Sequence, residues 1–542
     1  MTIRPIAFLL FLASISQVRA DVDLPAAISD GMVLQREATV PVWGWGKSGD
    51  AVTVKFANQS VEGTVNADGS WRVDLEPLEA SSENRSMMIT VGTDTVTLSD
   101  VVVGEVWFAS GQSNMQMTLD ESGRKTLDKK DQQVAWSIKE EIGKNLDPLI
   151  RQLKVPIATS YDKELTQFEG SWSKADSVKN KNQFSAVSYY FAKELRKNID
   201  VPVGVIVAAW GGKRIQPFIP ISQYKKDPEL DKYYEDELEK MKARIAAYDD
   251  AAEEAKFKTI MAKWHERARA AKEEGKWPPP VPKRYYPQNN PAFPGTIYNA
   301  MIHPVIPYAI RGAIWYQGES NAKHPKAMVF DYETYLRALI DGLRERWGQG
   351  DFPFYYCQLA QFRESPDEPV DNDFWVNVCN DMRKVLDHKN VGMAVLNDVG
   401  EVRDIRPRNK IDPGKRLARW ALANDYGRSD LVYSGPLYES HRIDGKNVEI
   451  TFSSVGGGLM TARKNLHWAT KPVEEELQGF QICGDDRVWK WASAKITGPN
   501  TVVVWHPEIT KPDEVRYAWA QNPARANLYN KAGLPTSVFS TK

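Results

Sequence analysis

The sequence predicts an α/β fold in which a largely parallel sheet is flanked by a β domain on each side. Five short apolar runs lie in the middle of the chain, at residues 103–109, 203–209, 311–316, 352–359 and 391–397, and each ends in polar or glycine-rich residues. Strands buried on both faces of a parallel sheet have this pattern. Amphipathic helix patterns separate the runs, and such alternation is typical of an α/β domain.

The two ends of the chain have strand patterns without intervening helices. Near the N-terminus, a turn signal at Asp68 and Gly69 precedes an alternating apolar pattern, which indicates a hairpin. After Gly427 the helix patterns fade and short β-branched segments return. The predicted order is an N-terminal β domain over 21–102, an α/β domain over 103–427 and a C-terminal β domain over 428–542.

A charge-rich segment interrupts the α/β pattern. It carries two apolar stripes at helical spacing, within residues 238–248 and 257–264, and a proline cluster ends it. We therefore predict a helical insert over about residues 222–290. A solvated hairpin without a role in function is the alternative.

The first 20 residues have the pattern of a secretory signal. Arg4 precedes an apolar run over residues 6–15, and Val18 and Ala20 form a small-residue cleavage site. That run is shorter than the ~20 residues that a membrane-spanning helix needs, and no later stretch approaches that length. We expect a secreted or periplasmic protein without a membrane span, whose mature chain begins at Asp21.

Composition argues against several classes of function. The 70 Lys and Arg residues balance 71 Asp and Glu residues, so the net charge of −1 gives no basic field for nucleic acid. Cys357, Cys379 and Cys483 are too few for a disulfide framework and lack the spacing of metal ligands. We expect neither a metal nor another cofactor. The 18 Trp residues permit a protein that acts on carbohydrate.

Ser113 directly follows the first predicted parallel strand, two residues after Gly111. In open α/β sheets, ligands bind outside the carboxyl ends of the strands. A glycine at this place lets the backbone turn tightly and exposes both the serine hydroxyl and its N–H, which a nucleophile with an oxyanion donor requires. A serine that caps the following helix is the alternative.

Two later strand ends carry hydrogen-bonding groups at the same predicted edge. Gly211 and Gly212 offer backbone N–H groups, and Gln317, Glu319 and Asn321 offer amide donors beside a carboxylate. Each turn alone could be an ordinary strand-to-helix connection. Three such turns at one edge predict a shared binding site.

These motifs resemble those of a known family. The sequences at residues 104–107, 111–115, 210–212, 314–321, 404–410 and 414–417 are similar to those of the sialate O-acetylesterase family of SGNH hydrolases. The resemblance covers nearly the whole mature chain. It implies an SGNH-like three-layer α/β/α domain and a carbohydrate O-acetylesterase, which removes acetyl groups from a sugar or glycan through a serine.

The resemblance also implies roles for single residues. Ser113 would be the nucleophile. Its own N–H, the N–H of Gly211 or Gly212, and the side chain of Gln317 would form the oxyanion hole. Glu319 and Asn321 would complete the substrate-binding turn. Asp404 would orient the general base of the triad.

The chain departs from the family at the general base itself. The family has the sequence Asp-Ile-His-Pro where this chain has Arg406 in place of the histidine, two residues after Asp404. Arginine stays protonated and presents only donors, so Arg406 cannot take the proton of Ser113. We expect weak or altered esterase activity. A catalytically impaired relative that binds an anionic glycan or ester is the alternative.

Further cations surround these motifs in the sequence. Lys213 and Arg214 stand where the family commonly has a small polar residue, and with Arg406 they predict a cationic pocket. Arg408 and Lys410 are expected to be surface cations with their charged groups in water.

His303 and His324 flank the Gln317 motif and are the two histidines considered as replacement bases. A structural histidine with satisfied hydrogen bonds is the alternative for each.

Overall fold

The computed structural model describes residues 22–126, 129, 131–274, 278–279, 281–324, 328–371 and 373–542. The predicted secretory signal at residues 1–20 lies outside the described residues. Across the ranges that are described, no helix combines the length and the apolar character of a membrane span.

Six strands precede the central sheet. They are β1 (Val33–Gln35), β2 (Val40–Trp45), β3 (Ala51–Phe56), β4 (Gln59–Thr64), β5 (Ser70–Leu75) and β6 (Ser81–Val91). Strands β2 and β5 form an antiparallel pair, and β3 pairs with both β4 and β6. Val52, Val54 and Phe56 of β3 are buried while their neighbours are not, because alternate side chains of a strand point to opposite faces.

The central sheet contains a strand at each of the five predicted apolar runs, and also β8 and β9, which no run predicts. Its members are β7 (Asp94–Gly111), β8 (Asp147–Lys154), β9 (Trp172–Ala175), β10 (Val203–Ala209), β11 (Gly312–Tyr316), β12 (Phe354–Cys357) and β13 (Val391–Ala394). Their order is β13, β12, β11, β7, β10, β8, β9. Every neighbouring pair is parallel except β8 and β9. The carboxyl ends of β7, β10 and β11 therefore lie side by side.

Helices cover both faces of this sheet. The α-helices are α1 (Ser113–Gln116), α2 (Leu119–Ser122), α3 (Gln132–Gly143), α4 (Val178–Lys181), α5 (Ala186–Ile199), α6 (Ile221–Tyr224), α7 (Pro228–Ala246), α8 (Asp250–Glu273), α9 (Glu319–Lys323), α10 (Tyr332–Trp347), α11 (Phe374–Lys384) and α12 (Ile411–Asn424). Phe354 of β12 packs in one core with Leu336 of α10, whereas the adjacent Tyr355 packs in another with Val187 of α5 and Leu417 of α12. The predicted three-layer α/β/α arrangement is confirmed.

The two helices of the predicted insert, α7 and α8, differ in how deeply they are buried. Leu230, Tyr234 and Met241 of α7 are buried, but no residue of α8 is buried. The apolar stripe in α8 is therefore only partly covered, although its spacing is that of a core-facing helix.

Antiparallel sheets follow the central domain. Their strands are β14 (Leu437–Asp444), β15 (Asn447–Ser453), β16 (Leu459–Arg463), β17 (Lys471–Pro472), β18 (Phe480–Cys483), β19 (Lys490–Trp491), β20 (Ser493–Ile496), β21 (Thr501–Trp505), β22 (Glu514–Tyr517), β23 (Leu528–Asn530) and β24 (Phe539–Ser540). Ile450, Phe480, Val504 and Val515 share one core. The chain thus has a mixed α/β centre with β-sheet regions on both sides, as the sequence predicts.

Candidate active site

Ser113 is the first residue of α1 and lies immediately beyond the end of β7. Gly111 before it has a φ of +137°, and a Cβ there would lie 2.2 Å from the carbonyl oxygen of Tyr316. Gln112 donates its N–H to the same oxygen at 2.9 Å. This turn is therefore fixed between β7 and β11, and it leaves the half-buried Ser113 hydroxyl without a hydrogen-bond partner among the described residues.

A cleft of about 440 Å³ opens beside this turn. Ser113 lines it together with Gln116, Met117, Thr118, Asp120, Glu121, Arg124, Lys154, Gln183, Asp404, Arg406 and Arg408. Three of the predicted site residues, Ser113, Asp404 and Arg406, thus share one cleft although almost 300 residues of sequence separate them. Arg124 and Lys154 also line it, and no motif in the sequence singles them out.

Asp404 is held within its own loop. Its carboxylate accepts the Arg406 N–H at 2.9 Å and a guanidinium hydrogen of Arg408 at 3.1 Å. The Arg406 side chain is 55% exposed, and its Nε lies 4.0 Å from Asp404 Oδ1. The expectation that Arg408 is a surface cation is wrong, because its side chain is only 13% exposed and its charge is directed at Asp404.

Lys410 is the centre of a buried polar network behind Ser113. It is fully buried, so the expectation of a surface cation is wrong here too. Its ammonium donates to Asn114 Oδ1 at 2.8 Å and to the Pro407 carbonyl. Asn114 Nδ2 in turn donates to Glu319 Oε1 and to the Ile405 carbonyl, the latter at 3.1 Å. The network joins the Ser113 turn, the Glu319 turn and the Asp404 loop.

Burial shifts the titration of both ionisable members of this network. It lowers the pKa of Lys410 to about 7 and raises the pKa of Glu319. Glu319 Oε2 is buried and has no hydrogen-bond partner in the part of the chain that is described. The sequence carries a weak signal for this network, since Asn114 adjoins Ser113 and Lys410 belongs to the same motif as Asp404.

The shifted pKa of Lys410 predicts a dependence of stability on pH. The unfolded chain holds this proton up to about pH 10.5, whereas the folded chain releases it near pH 7. Between these values the unfolded state binds more protons, so the free energy of unfolding contributed by Lys410 rises with pH. We expect wild type to gain about 2 to 4 kcal/mol relative to Lys410→Met between pH 7 and pH 10. Urea unfolding of both proteins at several pH values measures it, and a constant difference would contradict it.

The two glycines after β10 have different surroundings. The N–H of Gly211 donates to Gln116 Oε1 at 2.8 Å, and a Cβ on Gly211 would lie 3.2 Å from that of Ser113. The N–H groups of Gly212 and Ser113 have no acceptor among the described residues, and the space around Gly212 is open. Of the two glycines, Gly212 therefore has the free donor.

Gln317 is fully buried, and its side-chain amide makes hydrogen bonds to other residues of the protein. Nε2 lies 3.1 Å from Gln112 Oε1, 3.1 Å from the Lys213 carbonyl and 2.8 Å from Asn321 Oδ1. Its Oε1 accepts the hydroxyl hydrogen of Tyr332 at 2.8 Å. Gln317, Glu319 and Asn321 are absent from the lining of the cleft, and they connect its supporting turns instead.

This chain is similar in sequence and structure to known sugar esterases. Residues 284–419 match the family model described as carbohydrate esterase, sialic acid-specific acetylesterase. Sialate O-acetylesterase of Rattus norvegicus is 26% identical over 560 residues, which span 95% of this chain and 93% of the relative. The Homo sapiens protein of that name is 27% identical over 554 residues, 94% of this chain and 91% of the relative. A crystal structure of a carbohydrate acetylesterase from Xanthomonas citri is 29% identical, with a TM-score of 0.75 and coverage of 96% and 99%.

The chain is related to the sialate O-acetylesterases. The segment that matches the family model contains the Gln317 turn and the Asp404 loop with Arg406, whereas Ser113 lies before it. The similarity to whole sialate O-acetylesterases extends over nearly the entire chain, and so includes the Ser113 turn and both β-sheet regions.

The other predicted cations of this sialate O-acetylesterase relative lie outside the Ser113 cleft. Lys213 Nζ stands 4.7 Å from the ring centroid of Trp210, and burial lowers its pKa. Neither Lys213 nor Arg214 is among the residues that line the cleft.

The two histidines considered as replacement bases also lie elsewhere. His303 Nδ1 is 2.8 Å from the Leu165 carbonyl, and its Nε2 is 3.1 Å from a carboxylate oxygen of Glu164. His324 is exposed. Neither belongs to the lining of the Ser113 cleft, so the described lining contains no histidine.

Proposed function

We propose that this chain is a sialate O-acetylesterase-like carbohydrate esterase that removes acetyl groups from sugars through Ser113. The observation that carries the proposal is the presence of Ser113 and the Asp404 loop in one cleft at the carboxyl end of β7. The similarity to sialate O-acetylesterases and to a carbohydrate acetylesterase supports the reaction class.

In the proposed reaction, Ser113 Oγ attacks the carbonyl carbon of the acetyl ester and loses its proton to solvent water. The negative charge that develops on the carbonyl oxygen needs donors, and the N–H groups of Ser113 and Gly212 are free to supply them. The C–O bond to the sugar then breaks, and the sugar oxygen leaves with a proton. Water attacks the acetyl-enzyme, releases acetate and restores the hydroxyl of Ser113.

The slow step in this scheme is removal of the proton from Ser113. Arg406, at the position where the family has histidine, presents only donors. The Asp404 carboxylate already accepts hydrogen bonds from the N–H of Arg406 and from Arg408. A serine hydrolase that retains its oxyanion hole but lacks its base keeps only a residual ~10³ to 10⁴ rate enhancement over water. We therefore propose slow turnover.

One observation favours the second candidate, a protein that binds an anionic glycan or ester in this cleft. Arg124 is paired with Asp120 at 2.7 Å, and Arg408 with Asp404. Lys154 has no carboxylate within 4.0 Å among the described residues, and Arg406 reaches Asp404 only at that limit. An anionic group on the ligand would neutralise these two cations.

Release of acetate from O-acetylated sugars tests the esterase proposal. We expect wild type to release acetate slowly and Ser113→Ala to lose the part of that rate that passes through the acetyl-enzyme, because the acyl acceptor is gone. A fluorophosphonate probe should label wild type slowly, since labelling also needs removal of the proton. Ser82→Ala, which removes an exposed serine hydroxyl elsewhere, is the matched control. Equal rates for wild type and Ser113→Ala would refute the assignment.

We also propose that the chain is exported, on the basis of the signal pattern at residues 1–20. N-terminal sequencing of protein from the periplasmic or culture fraction should begin at Asp21. Recovery only from the cytoplasm with Met1 in place would contradict export.

A further inference from the structure

A second cleft, of about 390 Å³, lies where α12 meets the loops of the C-terminal sheets. Its walls come from α12, from the loop at residues 464–470 and from the turn at residues 531–534, which follows β23. None of its lining residues lines the Ser113 cleft. The two clefts are therefore separate places for ligands.

The second cleft is strongly cationic. Its lining includes one acidic residue, Asp412, and five basic ones, Lys415, Arg416, Arg419, Lys464 and Lys531. Asp398 neutralises Arg416 at 2.6 Å, and Asp412 neutralises Lys464 at 3.1 Å. Within the described parts of the chain, Lys415, Arg419 and Lys531 have no carboxylate within 4.0 Å. Three positive charges thus line the cleft without a carboxylate partner, although Nη1 of Arg419 donates to the Val432 carbonyl at 2.7 Å.

An indole ring stands at the same cleft. The Trp468 side chain is 51% exposed, which is unusual for so large an apolar ring. The ring of His467 supports it, with the two centroids 4.2 Å apart and an angle of 36° between the planes. A rigid aromatic face of this kind packs against the apolar face of a sugar ring.

Hydrogen bonds hold the walls of this cleft in place. Lys464 Nζ donates to the Trp468 carbonyl at 2.8 Å and so fixes the loop that carries the indole. Thr470 Oγ1 donates to the Gly533 carbonyl at 2.8 Å and joins that loop to the opposite turn. A ligand would meet a largely formed site, which lowers the entropy lost on binding.

We propose that this second cleft binds an acidic sugar residue. The Arg419 guanidinium, with Lys415 and Lys531, holds its carboxylate, and the sugar ring packs on Trp468. A guanidinium suits this role because it can bind a carboxylate through two parallel hydrogen bonds. The inference does not rest on the esterase proposal.

Isothermal titration with sugars that carry no acetyl ester tests the inference. Sialyllactose and lactose form a matched pair that differs by one acidic sugar, and trigalacturonate presents the same carboxylate chemistry on another sugar. We expect at least one acidic oligosaccharide to bind, and lactose to bind at least 10-fold more weakly. Inorganic sulfate is titrated in parallel as a simple anion.

Variants locate the binding site. Trp468→Ala and the double variant Lys415→Ala/Lys531→Ala should each weaken binding of the acidic sugar at least 10-fold. Trp136→Ala removes another exposed indole, 61% exposed on α3, and should leave binding unchanged. Arg406→Ala alters the Ser113 cleft and shows whether the same sugar binds there instead. Thermal melting shows that each variant is folded.

Several outcomes would overturn the proposal. Equal binding of lactose and the acidic oligosaccharides would show that the acid has no role. Sulfate binding as tightly as the acidic sugars would leave a simple anion site. Loss of binding in Arg406→Ala with none in Trp468→Ala would assign the ligand to the Ser113 cleft, and no binding at all would refute the site. None of these results depends on whether Ser113 hydrolyses esters.

Discussion

Arg406→His is expected to raise the turnover of acetylated sugars by about 10²-fold or more, because it restores an acceptor for the Ser113 proton. The backbone at this position is already anchored beside the carboxylate, since the N–H of Arg406 donates to Asp404 Oδ1 at 2.9 Å. The side chain lines the same cleft as Ser113. An imidazole at residue 406 would share the cleft with Ser113 and with Asp404, which could orient it.

Three comparisons make this test specific. Arg406→Gln removes the positive charge without adding a base. It therefore shows how much of any gain in turnover comes from loss of the charge and how much from proton transfer to the imidazole. Adding Ser113→Ala to Arg406→His should abolish the gain. The restored activity should rise with pH through about 6.5, as neutral imidazole forms. Ordinary turnover by wild type, lowered by Arg406→His, would contradict the impaired-site interpretation.

Gly111→Ala is expected to cost about 3 kcal/mol or more of unfolding free energy, the largest effect on stability that we predict. The added Cβ would lie 2.2 Å from the Tyr316 carbonyl oxygen, which belongs to the rigid strand β11, and the residue would keep a φ of +137°. Either β7 and β11 separate or the turn before Ser113 changes its conformation. Chemical denaturation of the purified variant measures the loss.

Gly212→Ala is the matched control for this substitution. Its φ is +74°, but a Cβ there would have nothing within 4 Å. It should therefore cost only the ~1 to 2 kcal/mol of a left-handed backbone conformation. Equal losses for the two variants would show that backbone conformation, and not the contact with β11, decides the requirement for glycine at residue 111.

The central sheet could be predicted from sequence because its signal is local. The run at residues 203–209 coincides with β10, and every residue of that strand is buried. A strand covered by helices on both faces must be apolar throughout, so its sequence alone reveals it. The turns after β7, β10 and β11 follow from the same pattern.

Long-range pairing could not be predicted in this way. Arg408 and Lys410 were expected in water, because isolated cations are costly to bury. Arg408 pairs with Asp404, four residues before it, and Lys410 pairs with Asn114, 296 residues before it. Neither separation in the sequence indicates that the residues are in contact. The fold alone likewise determines that the N–H of Gly212 has no acceptor and that the side-chain amide of Gln317 is hydrogen-bonded within the protein.

The network around Lys410 also bears on when the protein first acquires its site during synthesis. The partners of Asn114 are Glu319 and Lys410, which follow it by 205 and 296 residues. A nascent chain emerges from its N-terminus, and contacts so distant in sequence form only after the later segment is available. The ribosome-bound chain therefore carries Ser113 for most of its synthesis without the buried hydrogen bonds that organise its turn. The Ser113 site therefore completes its hydrogen bonds only after the last segments of the α/β domain have been synthesised.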